Sequence, residues 1–158
     1  MEDQTGLRQA VEACGTMVYR LALAQTHSGH DADDVFQEVF LRYLRSAPAF
    51  QEEEHRKAWL LRVTVNCCKK LHRSFWRRNT VALSESIPAL SQEEGELLDL
   101  LEGLPEKYRA VLHLYYYYEG YATGEIADIL GRSPNTVRSQ LARGRALLHD
   151  AWKGAEEL

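Results

Sequence analysis

Ala127, Gly131 and Val137 constrain this chain more than any other three residues. A small residue midway along one helix lets a second helix pack close. A glycine shortly after it takes a left-handed turn, and a β-branched residue further on locks the second helix into the core. All three fall inside YATGEIADILGRSPNTVRSQLARGRALL, Tyr121 to Leu148, and predict a helix-turn-helix. Ile126 and Leu130 give the first helix its buried face, while Ser133 can cap the second, with Pro134 in its first turn. Val137, Leu141, Gly144, Leu148 and Trp152 form the inward stripe of that second helix. Asn135, Thr136, Arg138, Ser139, Arg143 and Arg145 are left to face outward or sideways. An arginine-bearing helix whose N-terminal end projects has the geometry to enter a major groove. On that reading Asn135, Arg138 and Ser139 reach base edges, with Ser133 and Thr136 beside them, and Arg132, Arg143 and Arg145 meet phosphates.

The other segments are helical by periodicity. Leu7, Val11, Cys14, Val18 and Leu21 recur at steps of three and four, one stripe of an amphipathic helix. Val35, Phe36, Val39, Phe40, Tyr43 and Leu44 repeat the pattern between Asp31 and Arg45, and Asp31, Asp33 and Asp34 favour its positive N-terminal end. Ser46-Ala47-Pro48 stops it. A third helix runs from about Arg56 to Trp76, with Leu60, Val63, Cys67 and Leu71 on one side. From Arg78 to Ser91 the period is lost and serines recur, the pattern of a linker. Leu97, Leu98, Leu100 and Leu101 then mark a helix ending at Gly103, and Pro105 opens another that continues to Gly120. The expected fold is all-α: two small helical modules over residues 5–78 and 96–153, the second a helix-turn-helix, joined by an acidic flexible linker over 79–95.

The net charge of −4 argues against a uniformly polyanion-binding surface, but the charges come in blocks. Residues 1–54 carry ten acids and four bases, whereas residues 55–84 carry eight bases and no acid. Residues 85–106 reverse this with seven acids and no base, and residues 131–149 carry four arginines and no acid. Screening limits electrostatics to about 8–10 Å, so two basic surfaces can meet phosphates while the rest of the chain repels them.

Other chemistry is set aside by what the motifs lack. No apolar run approaches a membrane span, and the N-terminus has no secretory pattern. Three cysteines, with Cys67 and Cys68 adjacent, make no disulfide framework and fit a reducing, cytoplasmic setting. Cys67, Cys68 and His72 on one helix fall short of a tetrahedral metal set. No phosphate-cradling glycine loop, nucleophile–base pair or supported carboxylate cluster is present, so neither catalysis nor a cofactor is expected.

These segments in this order resemble the extracytoplasmic-function (ECF) group of bacterial sigma factors, the short two-module class of transcription initiation factors. DADDVFQEVFLRYLR, Asp31 to Arg45, is similar to the family segment that binds the β′ clamp helices of RNA polymerase. The resemblance implies polymerase contacts at Asp34, Gln37, Glu38, Phe40 and Arg42. Ala49 to Arg78 looks like the region-2 reader of the promoter −10 element, with Phe50, Arg56, Lys57, Trp59, Arg62, Asn66, Lys69, Lys70, Arg73 and Arg77 as its DNA-binding residues. Asn66 would line the pocket for a flipped base, under a loop from Phe50 to His55. Opened strands call for a phosphate-neutralising groove with aromatic faces, and eight bases interleaved with Phe50, Trp59, Phe75 and Trp76 supply both. Leu101 to Leu148 resembles the region-4 reader of the −35 element.

Five positions depart from the family pattern. Glu52, Glu53 and Glu54 stand in the loop that should approach DNA, Lys70 stands where Asp or Asn is frequent, and Ala122 stands where a capping Ser or Thr is usual. The implied partners are core RNA polymerase through the β′ clamp helices and β flap, promoter DNA, and an anti-sigma factor, with no membrane insertion. The rival readings are a stand-alone helix-turn-helix regulator that does not depend on polymerase, and an interaction protein that sequesters a partner without DNA.

Overall fold

The computed structural model describes residues 2–73, 87–116 and 121–156. Phe75, Trp76, Arg77, Arg78, Tyr117, Tyr118 and most of the expected linker lie outside the described residues, as does the side chain of Arg73. The chain divides into two compact units, residues 1–88 and 89–158. Among the described residues every regular element is helical, and no helix is long and apolar enough to cross a membrane.

Unit 1 is built from α1 (Glu2–Thr26), α2 (Gly29–Ser46) and α3 (Glu53–Arg73), each packed against the other two. The turn between α1 and α2 is short because His27 takes a positive φ of 54° and Ser28 accepts a hydrogen bond from the Asp31 N–H. Val18, Leu21, Val35, Phe36, Val39, Phe40, Leu60 and Leu61 fill the core. Each such side chain contributes about 1.5–3 kcal/mol by leaving water. The chain also returns to α1 after the undescribed stretch. Ile87 Cδ1 lies 3.1 Å from where a Cβ on Gly15 would stand, and Arg20 donates to the Pro88 carbonyl at 2.6 Å. Part of the expected linker is therefore seated on unit 1.

α3 starts at Glu53, three residues before the expected Arg56, because Glu53 and Glu54 suit the positive end of a helix. The inward side of α3 also differs from the expected stripe: Leu60, Leu61, Thr64, Val65, Cys67 and Cys68 are buried, and Val63 is only half-buried.

All three thiols are buried and none forms a disulfide: Cys14 and Cys68 lie in the core, Cys67 at its edge. Burial pushes the Cys14 and Cys67 thiols up from 9.0 to about 11, which starves them of the reactive thiolate at neutral pH.

Unit 2 contains α4 (Gln92–Glu102), α5 (Glu106–Tyr116), α6 (Thr123–Leu130) and α7 (Pro134–Glu156). The other three helices all pack on α7. α4 begins inside the stretch read as linker to residue 95, because Ser91 and Glu94 exchange side-chain and backbone hydrogen bonds as a capping box. α5 begins one residue after Pro105. Ala122 precedes α6 without a side-chain cap. Glu125 instead accepts from the Ala122 N–H at 2.9 Å, half of a capping box.

The helix-turn-helix spacing is realised in the structure. Gly131 adopts φ 67° and ψ 38°, its N–H bonds the Ala127 carbonyl, and Ala127 and Val137 are buried. Gly144 has no Cβ where one would stand 3.2 Å from Leu112 Cδ1 and 3.3 Å from Tyr108 Cβ, so α7 approaches α5 closely. Trp152 departs from the inward stripe and is 48% exposed.

Two outcomes follow from this packing. Gly131→Ala should lower the stability of unit 2 by about 1–2 kcal/mol in denaturant unfolding, through backbone strain alone, since a Cβ there would meet nothing within 4 Å. Gly131→Asn should cost less. The folded chain should resist thiol alkylation at neutral pH and label only on unfolding. Because the thiol pKa values are raised on folding, their stabilising contribution is complete below 9.0 and is lost as pH rises towards about 11.

Candidate nucleic-acid interfaces

In unit 1 the burial of one side of α3 decides what the other side presents. Arg62, Asn66, Lys69 and Lys70 are all exposed, with Arg62 one turn before Asn66 and Lys69 and Lys70 one turn after it. Trp59, another turn back, is half-buried at the same edge. Its ring meets Phe50 edge-on at 5.9 Å and Tyr43 at 6.1 Å, while Phe50 stacks on Tyr43 with an interplanar angle of 15°. The chain of rings continues inward through Phe40 to Phe36. Phe50 and Trp59 thus serve both readings: they brace the loop between α2 and α3, and they leave aromatic surface beside the cations of α3.

The three carboxylates of that loop have local partners. Glu52 lies 3.8 Å from His55, Glu53 2.6 Å from Arg56, and Glu54 3.5 Å from Lys57, a ladder of i, i+3 pairs. Glu53 also accepts from the Cys14 thiol, and the Arg56 hydrogen bond holds its carboxyl below the usual range. Arg56, assigned by resemblance to DNA binding, is bound to Glu53 and Tyr43. Lys57 and Glu54 form a more exposed pair of the kind worth under about 1 kcal/mol, so Lys57 can exchange partners readily. Arg73 ends α3.

On α2 the structure corrects the expected polymerase contacts. Phe40 is 1% exposed, and Asp34 and Gln37 are buried with it, because α2 packs against both α1 and α3 and buries more than one stripe. Glu38 and Arg42 remain on the outer side, joined at 3.2 Å, and Leu44, two residues further on, is exposed on a different side of α2.

In unit 2 the early part of α7 presents Asn135, Thr136, Arg138, Ser139 and Arg143, all exposed. Arg138 donates to Asn135 within the helix, so the two side chains share one face. Ser133 caps α7 by accepting from the Thr136 N–H at 3.1 Å and bonds the Thr136 hydroxyl, which makes its role in the helix-turn-helix structural. Arg132 is likewise structural. It donates to the Lys107 carbonyl and to Gln140, and burial lowers its pKa from the usual arginine value. Arg145 turns away from the early face of α7 and lies 5.7 Å over the Tyr115 ring.

Two features escaped the sequence reading because they are tertiary. Lys107, on the first turn of α5, joins Asn135, Thr136, Ser139 and Arg143 around a polar groove. A second, apolar groove of about 680 Å³ runs between α4 and α7, lined by Leu97, Leu100, Tyr116, Leu148 and Trp152, with Glu93, Glu96, Arg145 and His149 among its charged and polar walls. A tryptophan set among His149, Asp150 and Lys153 near a helix end was the signal for this second groove.

Comparison with known proteins agrees with this division. The family model described as Sigma-70 region 2 matches residues 10–78, and that described as Sigma-70, region 4 matches residues 94–148. ECF RNA polymerase sigma factor SigE of Mycolicibacterium smegmatis is 34% identical over 146 residues, covering 84% of this chain and 56% of SigE. The chain thus spans little more than half the length of that relative. ECF RNA polymerase sigma factor SigM of Mycobacterium tuberculosis is 31% identical over 136 residues, covering 83% of this chain and 69% of SigM. Among solved structures, the sigma factor RpoE in complex with the anti-sigma factor NepR from Bartonella quintana shares the fold, with a TM-score of 0.71 and 18% identity over 92% of this chain and 96% of that one. With both regions matched in order, and a relative above 30% identity covered over most of its length, the chain belongs to the extracytoplasmic-function family of RNA polymerase sigma factors.

Proposed function

We propose that this chain directs core RNA polymerase to specific promoters, with unit 1 reading the −10 element and unit 2 the −35 element. The observation that carries the proposal is the presence, in one chain, of two helices each buried along one face and cationic along the other. On α3 the exposed set is Arg62, Asn66, Lys69 and Lys70, and on α7 it is Asn135, Arg138, Ser139 and Arg143. Capture of an unstacked base needs a hydrogen-bonding side chain near a π-face and cations for the backbone. Asn66, with the Phe50–Trp59 edge and Lys69 and Lys70, supplies those types. Arg73 and Arg77 extend the same basic segment in sequence.

Duplex reading by α7 follows helix-turn-helix geometry, with Arg138 and Asn135 towards base edges and Arg143 towards phosphate. The local pairing of Glu53 with Arg56 and of Glu54 with Lys57 supports this reading, because it reduces the repulsion those carboxylates would otherwise bring to a DNA-facing segment. Glu38 and Arg42 of α2 mark the surface for the β′ clamp helices. The apolar groove between α4 and α7 suits an amphipathic helix of the β flap or of an anti-sigma factor. In this reading the chain supplies specificity in the cytoplasm, and the polymerase supplies catalysis.

Run-off transcription with purified core polymerase tests the proposal. The expected result is a transcript that depends on both promoter elements, with Arg138→Ala relaxing the preference at one −35 position by about 1–3 kcal/mol. Sequence-specific binding by the chain alone, with no transcript on adding core polymerase, would favour the stand-alone regulator instead.

A further inference from the structure

We propose that Lys107 and Arg143 form a clamp for one backbone phosphate of the duplex read by α7, a positioning contact that rests on the reading of unit 2 given above. Lys107 is exposed on the first turn of α5, and Arg143 is exposed on α7. Both line one groove of about 310 Å³, whose remaining walls are Tyr108, Asn135, Thr136, Ser139 and Gln140. Glu106 precedes Lys107 in the chain, but the groove has no carboxylate wall.

The groove is held in shape by groups that do not themselves face it as charges. Arg132 donates to the Lys107 carbonyl at 3.0 Å and to Gln140 Oε1 at 2.8 Å, tying the start of α5 to α7. Lys107 Nζ lies 5.1 Å from the centroid of the Tyr108 ring, an attraction that keeps the ammonium along the groove wall. Two cations of different shape then face one small polar space, beside the side chains of Asn135 and Ser139 that stand at base-reading positions. A phosphodiester next to the base pairs read by α7 is the occupant of matching charge and size. Such a contact fixes register without reading sequence. It differs from Arg138, whose loss should change base preference.

The test uses the full chain bound to core polymerase on a promoter duplex, with affinity measured across a salt series. Lys107→Ala should weaken binding about equally on all −35 sequences and make the slope of log K against log salt shallower by about 0.9. Lys107→Arg should restore the slope. A methylphosphonate scan should find one linkage whose neutralisation costs the native chain more than it costs Lys107→Ala, the remaining loss being that of the Arg143 contact. An unchanged slope, or additive losses at every linkage, overturns the clamp while leaving the −35 reading intact. Absence of any −35 sequence preference in the native chain overturns that reading and the clamp together.

Discussion

Close packing along one face of α7 fixes which arginines of unit 2 meet water. Gly144 carries no Cβ where α7 passes Leu112 and Tyr108, and Val137 is fully buried against the same core. Gly131 supplies the left-handed backbone that delivers α7 at the required angle. With those positions inward, helical geometry leaves Asn135, Arg138, Ser139 and Arg143 on the outside. The same logic operates on α3, where burial of Leu60, Leu61, Thr64 and Val65 puts Arg62, Asn66 and Lys69 outward. Function here is what packing leaves over.

Electrostatics refine that outcome without creating it. A chain of net charge −4 reaches a polyanion only where its carboxylates are spent elsewhere. Glu53 and Glu54 are paired with Arg56 and Lys57, which offsets two of the three charges, while Glu52 lies 3.8 Å from His55, a partner that carries charge only when protonated. In unit 2 Arg132 is spent on a backbone carbonyl and a glutamine, and Arg145 faces an aromatic ring. The cations exposed on α3 and α7 are fewer than the sequence counts, and they are concentrated on two helix faces.

Much of this was legible in the sequence, for identifiable reasons. The Ala127–Gly131–Val137 spacing worked because a left-handed turn and two close helix contacts are local requirements that few residue types meet. The outward placement of Asn66 and Arg138 followed from helical periodicity. Phe40 is buried as its apolar stripe implies, whereas the burial of Asp34 and Gln37 was not legible, because α2 is packed from two sides and a single stripe cannot reveal a second neighbour. Trp152 was misplaced in the opposite sense: it continues the apolar stripe of α7, but at its position the stripe borders the groove. Lys107 was missed because its neighbours on α7 are distant in sequence. That Arg132 and Ser133 also hold the turn was not legible for Arg132, whose partners Lys107 and Gln140 are brought to it by the fold, whereas the Ser133 cap was.

The central claim is that two distinct helix faces grip two separate stretches of one promoter. Hydroxyl-radical footprinting of the full chain with core polymerase measures this directly. The account predicts two discrete protected patches attributable to this chain, the upstream one weakened by Arg138→Ala and the downstream one by Asn66→Ala, each leaving the other in place. Protection confined to a single patch, or the loss of both patches through either substitution, would contradict it.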